Sequence, residues 1–203
     1  MTPFRALSPA RPAAPRRPAS AGGFTLIELM VTVAIAAIFA SLAAPSLTTM
    51  IRNNRIQTEA SSLVADLQLA RTEAIKRGAT VAVCPSSTGT SCLTTDTWQS
   101  GWMIFVDANG NGVYDPSTDT APVLRVRKAF SSTDTLTPAP APATHAISFN
   151  REGFATGMGT TTTMFKFHSA NNDNNATRCV SIDLGGRLAT WSYGGTSMTV
   201  SCS

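Results

Sequence analysis

The sequence predicts an α+β protein in which a long N-terminal helix is followed by a β-rich domain. Three observations support this prediction. A nearly uncharged apolar run spans residues 24–51, an amphipathic pattern with helical spacing continues to residue 77, and short β-prone runs alternate with turn residues from residue 78 onward. Because the helix precedes all the strands, we expect it to pack on an antiparallel sheet.

Residues 1–23 are rich in proline and alanine and contain four arginines but no acidic residue. We expect this segment to be disordered and to be removed as a leader peptide. The whole chain has sixteen basic and twelve acidic residues, so removing four arginines leaves twelve of each. The basic isoelectric point therefore belongs to the leader and does not by itself favour nucleic-acid binding.

The apolar run at residues 24–51 is long enough to form a membrane helix. As a helix it would rise about 42 Å, whereas a hydrocarbon core is about 30 Å thick. The run is too long for a secretory signal peptide and has no small-residue cleavage site after it. Because arginines precede it, we expect a single-pass anchor with a cytoplasmic N-terminal side.

Glu28 is the one charged residue in this run, at the fifth position when Phe24 is counted as the first. An ionisable group inside a membrane helix is costly and usually has a functional partner. The residues from Gly23 to Glu28 resemble the leader-peptidase motif of the type IV prepilin family, and Pro45 matches the proline that bends the first helix of many pilins. The alternative is a plain anchor whose Glu28 lies near the interface.

The resemblance implies how the chain is processed. A prepilin peptidase would cut between Gly23 and Phe24 and would N-methylate Phe24. Glu28 of one subunit would neutralise the new amine of a neighbour, and Pro45 would kink the helix. The mature helix would then pack with those of other pilin subunits in a filament that rises from the inner membrane.

Residues 52–77 continue the helix in amphipathic form. We expect the charged residues, among them Arg55, Glu59, Asp66 and Arg71, mostly to occupy the polar faces. Gly78 is a suitable helix stop. The apolar residues recur at steps of four and three, the spacing of one helix face: Ile56, Ala60, Leu63, Leu67, Ala70 and Ala74.

Residues 78–203 are expected to form a β-rich periplasmic domain. Gly185-Gly186 predicts a hairpin turn, and the proline-rich residues 137–144 predict a stiff loop. The predicted strands cover residues 80–84, 102–106, 123–127, 147–149, 160–168, 179–184, 187–191 and 198–202.

Four cysteines lie in this domain, and an even number in an exported domain predicts disulfides. Three pairings are possible. We favour Cys84–Cys92 with Cys179–Cys202 because the partners are close in sequence, and reduced, buried thiols are the alternative. A zinc site is not predicted, since the sequence has no C-x-x-C and its two histidines lie far from the first pair.

Motifs after the apolar run indicate which branch of this family the chain resembles. RTEAIKRG at 71–78, VAVCPS at 81–86, SGWMIFVDANGNG at 100–112 and VLRV at 123–126 resemble the GspH/FimT branch of pilin-like proteins. That branch contains minor pseudopilins of type II secretion and minor pilins of type IV pili. The resemblance implies a pilin-like fold and a minor subunit that primes or caps such a filament.

A second hypothesis is the binding of double-stranded DNA during natural transformation. Some FimT-type pilins bind DNA through a C-terminal G-R-x-R motif, but here the second arginine is replaced by Ala189. Residues beyond 121 carry seven basic and four acidic groups. We expect Lys166, His168, Arg178 and Arg187 on one face of the C-terminal sheet, where the basic groups would contact phosphates.

An oxygen-rich loop follows the predicted strand at 102–106. Asp107, Asn109, Asn111 and Asp115 match part of an EF-hand calcium loop, but the twelfth position, which requires a bidentate glutamate, is Thr118. We favour a polar turn that uses asparagine and glycine for positive φ over a metal site.

Catalytic patterns are missing from the sequence. The two histidines and the scattered serines show no nucleophile–base spacing. We therefore predict that the protein is not an enzyme and has no cofactor, and that it is itself the substrate of a peptidase.

Overall fold

The computed structural model describes residues 23–143, 145–159, 161–170, 173–197 and 200–202, without the side chains of residues 42–45, 196, 197 and 200. Almost all of the predicted leader lies outside these residues. So do the last residue of the predicted proline-rich loop and the first residues of the predicted strands at 160–168 and 198–202. The chain divides into two compact units, Met1–Ala43 and Ala44–Ser203.

Helix α1 covers Leu26–Arg77 and contributes to both units. Within the part of the chain that the structure describes, no single helix is both long and apolar enough to cross a membrane. The segments Leu26–Ser41 and Ser46–Arg77 satisfy the length and composition criteria only when taken as a pair. The kink at Pro45 stays a prediction.

The second unit confirms the amphipathic helix. All six residues of the predicted apolar stripe are fully buried. On an exposed side of the helix, Glu73 and Arg77 form an ion pair of 2.6 Å at the favourable spacing of four residues. The helix ends at Arg77, and Gly78 follows with a φ of +63°, a left-handed conformation that glycine adopts without strain.

The strands form two larger antiparallel sheets and one short pair. The strands are β1 (Val81–Pro85), β2 (Gly101–Val106), β3 (Arg125–Lys128), β4 (Thr135–Ala139), β5 (Ile147–Phe149), β6 (Ala155–Thr156), β7 (Thr162–His168), β8 (Arg178–Asp183), β9 (Leu188–Ser192), β10 (Thr196–Ser197) and β11 (Val200–Ser201), with 3₁₀ turns at Trp98–Ser100 and Asn174–Ala176. The sheets are ordered β3-β2-β1-β5-β6 and β4-β7-β8-β9, and the short pair joins β10 to β11.

One hydrophobic core joins the second half of α1 to both larger sheets. Leu63 and Leu67 of the helix belong to the same buried cluster as Ile104 of β2 and Phe165 of β7. The ring centroids of Trp98 and Phe165 lie 4.9 Å apart in an edge-to-face arrangement, a favourable geometry for aromatic pairs. The predicted α+β class, with a helix on antiparallel sheets, is confirmed.

The prediction of a loop throughout residues 137–144 is wrong, because Thr137 to Ala139 belong to β4. This strand pairs with β7, and Pro138 lies opposite Phe165 in the register. Proline has no backbone N–H and is therefore excluded from central strands, but β4 forms the edge of its sheet. An edge strand tolerates the missing donor, which is why a proline-rich sequence adopts β structure here.

The hairpin predicted at Gly185-Gly186 is present between β8 and β9. Ile182 lies opposite Leu188, and Gly186 has a φ of +71°. The Arg71 guanidinium of α1 donates hydrogen bonds of 3.1 and 3.0 Å to the carbonyl oxygens of Gly186 and Gly185, and one of 3.0 Å to that of Gly153. A single helix side chain therefore holds the β8–β9 and β5–β6 turns in place.

Candidate functional site

The N-terminal end of α1 presents the residues of the predicted processing site. Thr25 Oγ1 accepts a hydrogen bond of 3.3 Å from the Glu28 backbone N–H, so Thr25 caps the helix. Glu28 stands at the third helical position, as in a capping box, where its negative charge suits the helix dipole. The side chains of Phe24 and Glu28 are exposed. Capping of the helix therefore explains why threonine and glutamate stand at these positions, independently of any role in filament assembly.

The helix of the first unit exposes large apolar side chains on every side. A helix that is apolar all round is stable only inside a membrane or among other apolar helices. This surface therefore requires a lipid or protein environment. Its exposed large apolar residues are Leu26, Ile27, Leu29, Met30, Val31, Val33, Ile35, Ile38 and Phe39.

The basic residues proposed for DNA binding do not gather on one face, so that prediction is wrong for Arg178. Lys166 lies opposite Cys179 in the antiparallel register, and Arg178 lies opposite Phe167. Directly opposed residues share a face, and successive residues alternate between faces. Arg178 is therefore on the buried face of Phe167, whereas Lys166 is on the other face of the sheet.

Each of these basic residues also has an intramolecular neighbour. Arg178 Nε donates to Gln57 Oε1 over 3.1 Å. Lys166 Nζ lies 5.9 Å from the centroid of the Tyr193 ring. Arg187, whose side chain is 72% exposed, lies 3.3 Å from Asp183 Oδ2 through its Nε. Of these basic side chains, Arg187 is the one held on an exposed hairpin turn.

The oxygen-rich loop is organised by carboxylates that accept backbone hydrogen bonds. Asp107, which is buried, accepts from the N–H groups of Gly110, Asn111 and Gly112 over 2.8–3.2 Å. Asp119 accepts from two further backbone N–H groups, those of Ala108 and Asp115, over 2.8 and 2.9 Å. This geometry is that of the favoured polar turn.

The other residues of the calcium hypothesis use their side-chain oxygens for hydrogen bonds within the loop. Asn109 and Asn111 direct their side-chain oxygens to backbone N–H groups two residues ahead, and Asp115 bonds Ser117. Among the described residues, no group of three or more histidine, cysteine or acidic side chains is placed to hold a metal ion.

Asp66 was expected on the polar side of the helix, but its side chain is fully buried and binds two strands. Its Oδ2 accepts from Trp102 Nε1 over 2.9 Å and from Arg127 Nε over 3.1 Å, and its Oδ1 accepts from Arg125 Nη1 over 2.7 Å. The signal was present in the sequence, since Asp66 lies three residues after Leu63 and therefore near the apolar stripe.

A second missed cluster joins α1 to the segment before β4. Arg55 donates two hydrogen bonds, of 2.6 and 2.9 Å, to the carboxylate of the buried Asp134. Glu59 lies one turn further along the helix, and its buried Oε2 has no hydrogen-bond partner among the described residues. Burial raises the pKa of Glu59 to about 7, with a further increase from the Asp134 carboxylate and a partial decrease from Arg55.

The raised pKa of Glu59 predicts a pH-dependent stability. The folded chain holds this proton more tightly than the unfolded chain, whose carboxyl has a pKa of about 4.3. The contribution to the free energy of unfolding is therefore complete below about pH 4 and is lost as the pH rises to about 7. The full pKa difference corresponds to roughly 3.7 kcal/mol, and because Glu59 is only half-buried, solvent screening reduces the expected loss to roughly 2–3 kcal/mol. Urea unfolding of a fragment that starts at Arg52, between pH 4.5 and 8, measures this loss.

Glu59→Gln is the matched variant, since glutamine keeps the shape and does not titrate. We expect its stability to vary less with pH over the same interval. The pKa of Asp134 does not interfere, because it is lowered: burial raises it, but hydrogen bonds from Arg55, Ser132 and Ala170 outweigh burial. Equal pH slopes in the parent and in Glu59→Gln would contradict this assignment.

The structure joins Cys84 to Cys92 and Cys179 to Cys202, which is the pairing favoured from the sequence. The first disulfide closes the loop after β1. The second links β8 to the residue after β11, within a small buried cluster that includes Met164. The first disulfide therefore links an irregular loop to its sheet, and the second links the C-terminal segment to its sheet.

Two known protein families match separate parts of the chain. Residues 59–186 match the family described as type II transport protein GspH, and residues 19–44 match the prokaryotic N-terminal methylation motif. The first match alone covers more than half of the chain. It includes residues 59–77 of α1 with the buried Asp66, contains the oxygen-rich loop, and ends at Gly186 in the turn between β8 and β9.

The chain is similar to a curated relative and to solved structures of two further proteins. The pilin-like protein PilA1 of Thermus thermophilus is 33% identical over 99 residues, which are 48% of this chain and 55% of the relative, so the chain spans about half the length of that protein. The type IV minor pilin FimU of Pseudomonas aeruginosa matches with a TM-score of 0.51 and 26% identity, covering 67% of this chain and 87% of FimU.

The minor pseudopilin EpsH of Vibrio cholerae matches with a TM-score of 0.47 and 13% identity, covering 68% of this chain and 97% of EpsH, a similarity too low to bear on function. The family match and the likeness to FimU agree with the helix-on-sheet fold and with the methylation motif. Proteins of this family are structural subunits and not enzymes. The chain therefore belongs to the GspH family, within the GspH/FimT-like type IV pilins.

Proposed function

We propose that the chain is a minor pilin or pseudopilin that takes part in priming or capping a type II secretion pseudopilus or a type IV pilus. A prepilin peptidase cuts it between Gly23 and Phe24 and methylates Phe24. Residues 24–51 hold it in the inner membrane, with residues 78–203 in the periplasm, until it joins other subunits. The observation that carries this proposal is the apolar surface of the first unit, which is exposed on every side within the segment that matches the methylation motif.

The exposed surface and the charge at Glu28 have complementary parts in assembly. The apolar side chains can be buried equally by lipid and by neighbouring helices, so their burial does not select a partner. Glu28 carries the one charge between residues 24 and 51. Its pairing with the Phe24 amine of an adjacent subunit would satisfy two charges at once and would fix the axial position of the helix.

Glu28→Val tests the assembly role. We expect cleavage before Phe24 to persist and incorporation into the filament fraction to fall by more than about tenfold. An unpaired amine among apolar helices costs several kcal/mol, and about 1.4 kcal/mol is a factor of ten. Mass spectrometry of the N-terminus measures cleavage, and immunoblots of sheared filaments measure incorporation.

Glu152→Val is the control for Glu28→Val. Its carboxylate is exposed and pairs with the adjacent Arg151 over 2.8 Å, far from the helix start in sequence. We expect normal cleavage and incorporation in this variant. Normal assembly of Glu28→Val would contradict the pairing role of Glu28, and uncleaved parent protein would contradict the processing step.

DNA binding is a second candidate function, favoured by one observation. Arg187 is exposed on a hairpin turn that Arg71 holds through two carbonyl oxygens. A fixed, exposed arginine is suited to contact a phosphate, although Asp183 beside it reduces the local positive charge. Lys166 is half-buried on the face of the same sheet that is opposite to Phe167, and it would extend such a surface.

A mobility shift over a salt series tests this function with the fragment from Arg52 onward. A DNA-binding pilin would lose affinity steeply with salt, and Arg187→Ala and Lys166→Ala would each reduce the salt slope by about 1. Arg151→Ala is the matched control, because its side chain is similarly exposed at 73% and also pairs with an adjacent acid. Absence of any shift at low salt would exclude this function and leave filament assembly.

A further inference from the structure

A polar pocket of about 540 Å³ lies in the second unit, beside the part of α1 where the apolar run ends. It combines two guanidinium groups, from Arg52 and Arg55, with several hydroxyl groups. No acidic residue is among the residues that line it. Its hydroxyl-bearing residues are Thr48, Ser131, Ser132, Thr133 and Ser169.

Both arginines are held in place by carboxylates outside the pocket lining. Arg52 Nη1 lies 3.0 Å from Asp173 Oδ2, and Arg55 binds Asp134 through Nε and Nη2. A guanidinium has five N–H donors, so each arginine keeps donors for a second oxyanion. Because the ion pairs already fix the side chains, little conformational entropy is lost when a ligand binds.

The same ion pairs limit the affinity for a free anion. Two arginines and two aspartates balance in charge, so the pocket exerts little long-range attraction, and recognition would depend on short hydrogen bonds. Such a site is effective only where its ligand is concentrated. A chain tethered to the surface that carries the ligand meets that condition, because tethering raises the effective concentration to the millimolar range.

The position of the pocket along the chain satisfies this condition. Its lining includes Thr48 and Ile51, near the end of the apolar run, and Arg52, the first charged residue after Glu28. An anchor that spans the bilayer ends at headgroup level, because a charged side chain is costly inside the hydrocarbon core. A chain anchored by residues 24–51 would therefore hold Thr48 and Arg52 at headgroup level.

We propose that this pocket binds the phosphate of an anionic phospholipid headgroup on the periplasmic face of the inner membrane. Arg52 and Arg55 donate to the phosphate oxygens, and the hydroxyl groups bond the remaining headgroup oxygens. The proposal rests on the membrane anchorage proposed above. It gives the domain a fixed contact with the bilayer before the subunit leaves it for the filament.

The test uses the full chain in phosphatidylcholine nanodiscs, with or without one quarter phosphatidylglycerol. Hydrogen exchange at residues 131–133 and 169–170 reports occupancy of the pocket. We expect phosphatidylglycerol to slow this exchange about threefold, the effect of a ligand present at twice its Kd. Arg52→Gln and the near-isosteric Thr133→Val should each abolish most of the effect, whereas Arg151→Gln, remote from the lining, should retain it.

A phosphodiester and a soluble phosphate offer the same oxygens, so inorganic phosphate is added to phosphatidylcholine nanodiscs in a further arm. Equal slowing by inorganic phosphate would assign the pocket to a soluble anion and overturn the lipid proposal. An unchanged exchange rate with phosphatidylglycerol, or slowing that survives both pocket variants, would also overturn it.

Flotation of the same chain with liposomes after carbonate washing tests the anchorage separately. A chain that floats but shows no response to phosphatidylglycerol would refute the headgroup site alone. A chain that does not float would refute the membrane anchorage, and with it the basis of the headgroup proposal.

Discussion

Replacing Asp66 with alanine is expected to lower the free energy of unfolding by about 3 kcal/mol, the lower end of the effect of breaking a buried ion pair. The carboxylate is fully buried and accepts hydrogen bonds from Trp102, Arg125 and Arg127. Its removal leaves the indole N–H of Trp102 without its acceptor in the core and two guanidinium groups without their counter-charge.

The arginines moderate this loss. Their side chains are 44% and 38% exposed, so water replaces part of the lost interaction once the carboxylate is gone. The Trp102 side chain has no such access, because it is 1% exposed. We therefore expect Asp66→Asn, which keeps one acceptor oxygen but not the charge, to lie between the parent and Asp66→Ala.

Urea unfolding followed by tryptophan fluorescence measures the loss in the fragment from Arg52 onward. Glu152→Ala is the control, since its ion pair with Arg151 is exposed and such pairs contribute little. Its unfolding midpoint should equal that of the parent. An equally unchanged midpoint in Asp66→Ala would contradict the assignment of this carboxylate as the link between α1, β2 and β3.

Removing the Cys179–Cys202 disulfide by a double alanine substitution is expected to cost about 3.5 kcal/mol. The bond spans 23 residues, whereas Cys84–Cys92 spans 8. In the chain-entropy account the cost of losing a crosslink grows with the loop it closes, which gives about 2.5 kcal/mol for the shorter loop. The longer crosslink should therefore be the more important one, and losing it should also release the C-terminal β10–β11 pair.

The matched comparison is the double alanine variant of Cys84 and Cys92. Both variants are compared with the oxidised parent by urea unfolding, and mass spectrometry without reduction verifies which sulfurs are joined. A smaller loss for the Cys179–Cys202 variant than for the Cys84–Cys92 variant would contradict the loop-length argument. Free thiols in the parent would contradict the disulfides themselves.

Short-range patterns of the chain predicted much of the fold. The apolar stripe could be predicted because helical spacing is a local property of the sequence. This spacing correctly predicted that Leu63 and Leu67 are buried in the core. The hairpin at Gly186 could be predicted because tight turns favour glycine, which adopts positive φ without strain. The disulfide partners were close in sequence, so proximity along the chain was a useful guide.

The strand at β4 could not be predicted in the same way. Proline is unfavourable in a central strand but is tolerated in an edge strand. Whether a segment forms an edge strand depends on the order of strands in the sheet. Pro138 is acceptable because β4 has β7 as its one neighbour in that sheet. Sheet order is a property of the assembled fold and not of the segment.

Local patterns were enough to predict the helix, its buried stripe, the family of the chain and the residues of the expected processing site, because each can be recognised from short motifs. The environment of the charged residues instead depends on contacts between segments that are far apart in the chain. Asp66 meets Arg125 across 59 residues, and the β7–β8 register places Arg178 on the face opposite Lys166. A shift of one residue in that register would reverse the faces, so only strand pairing determines which basic side chains can act together.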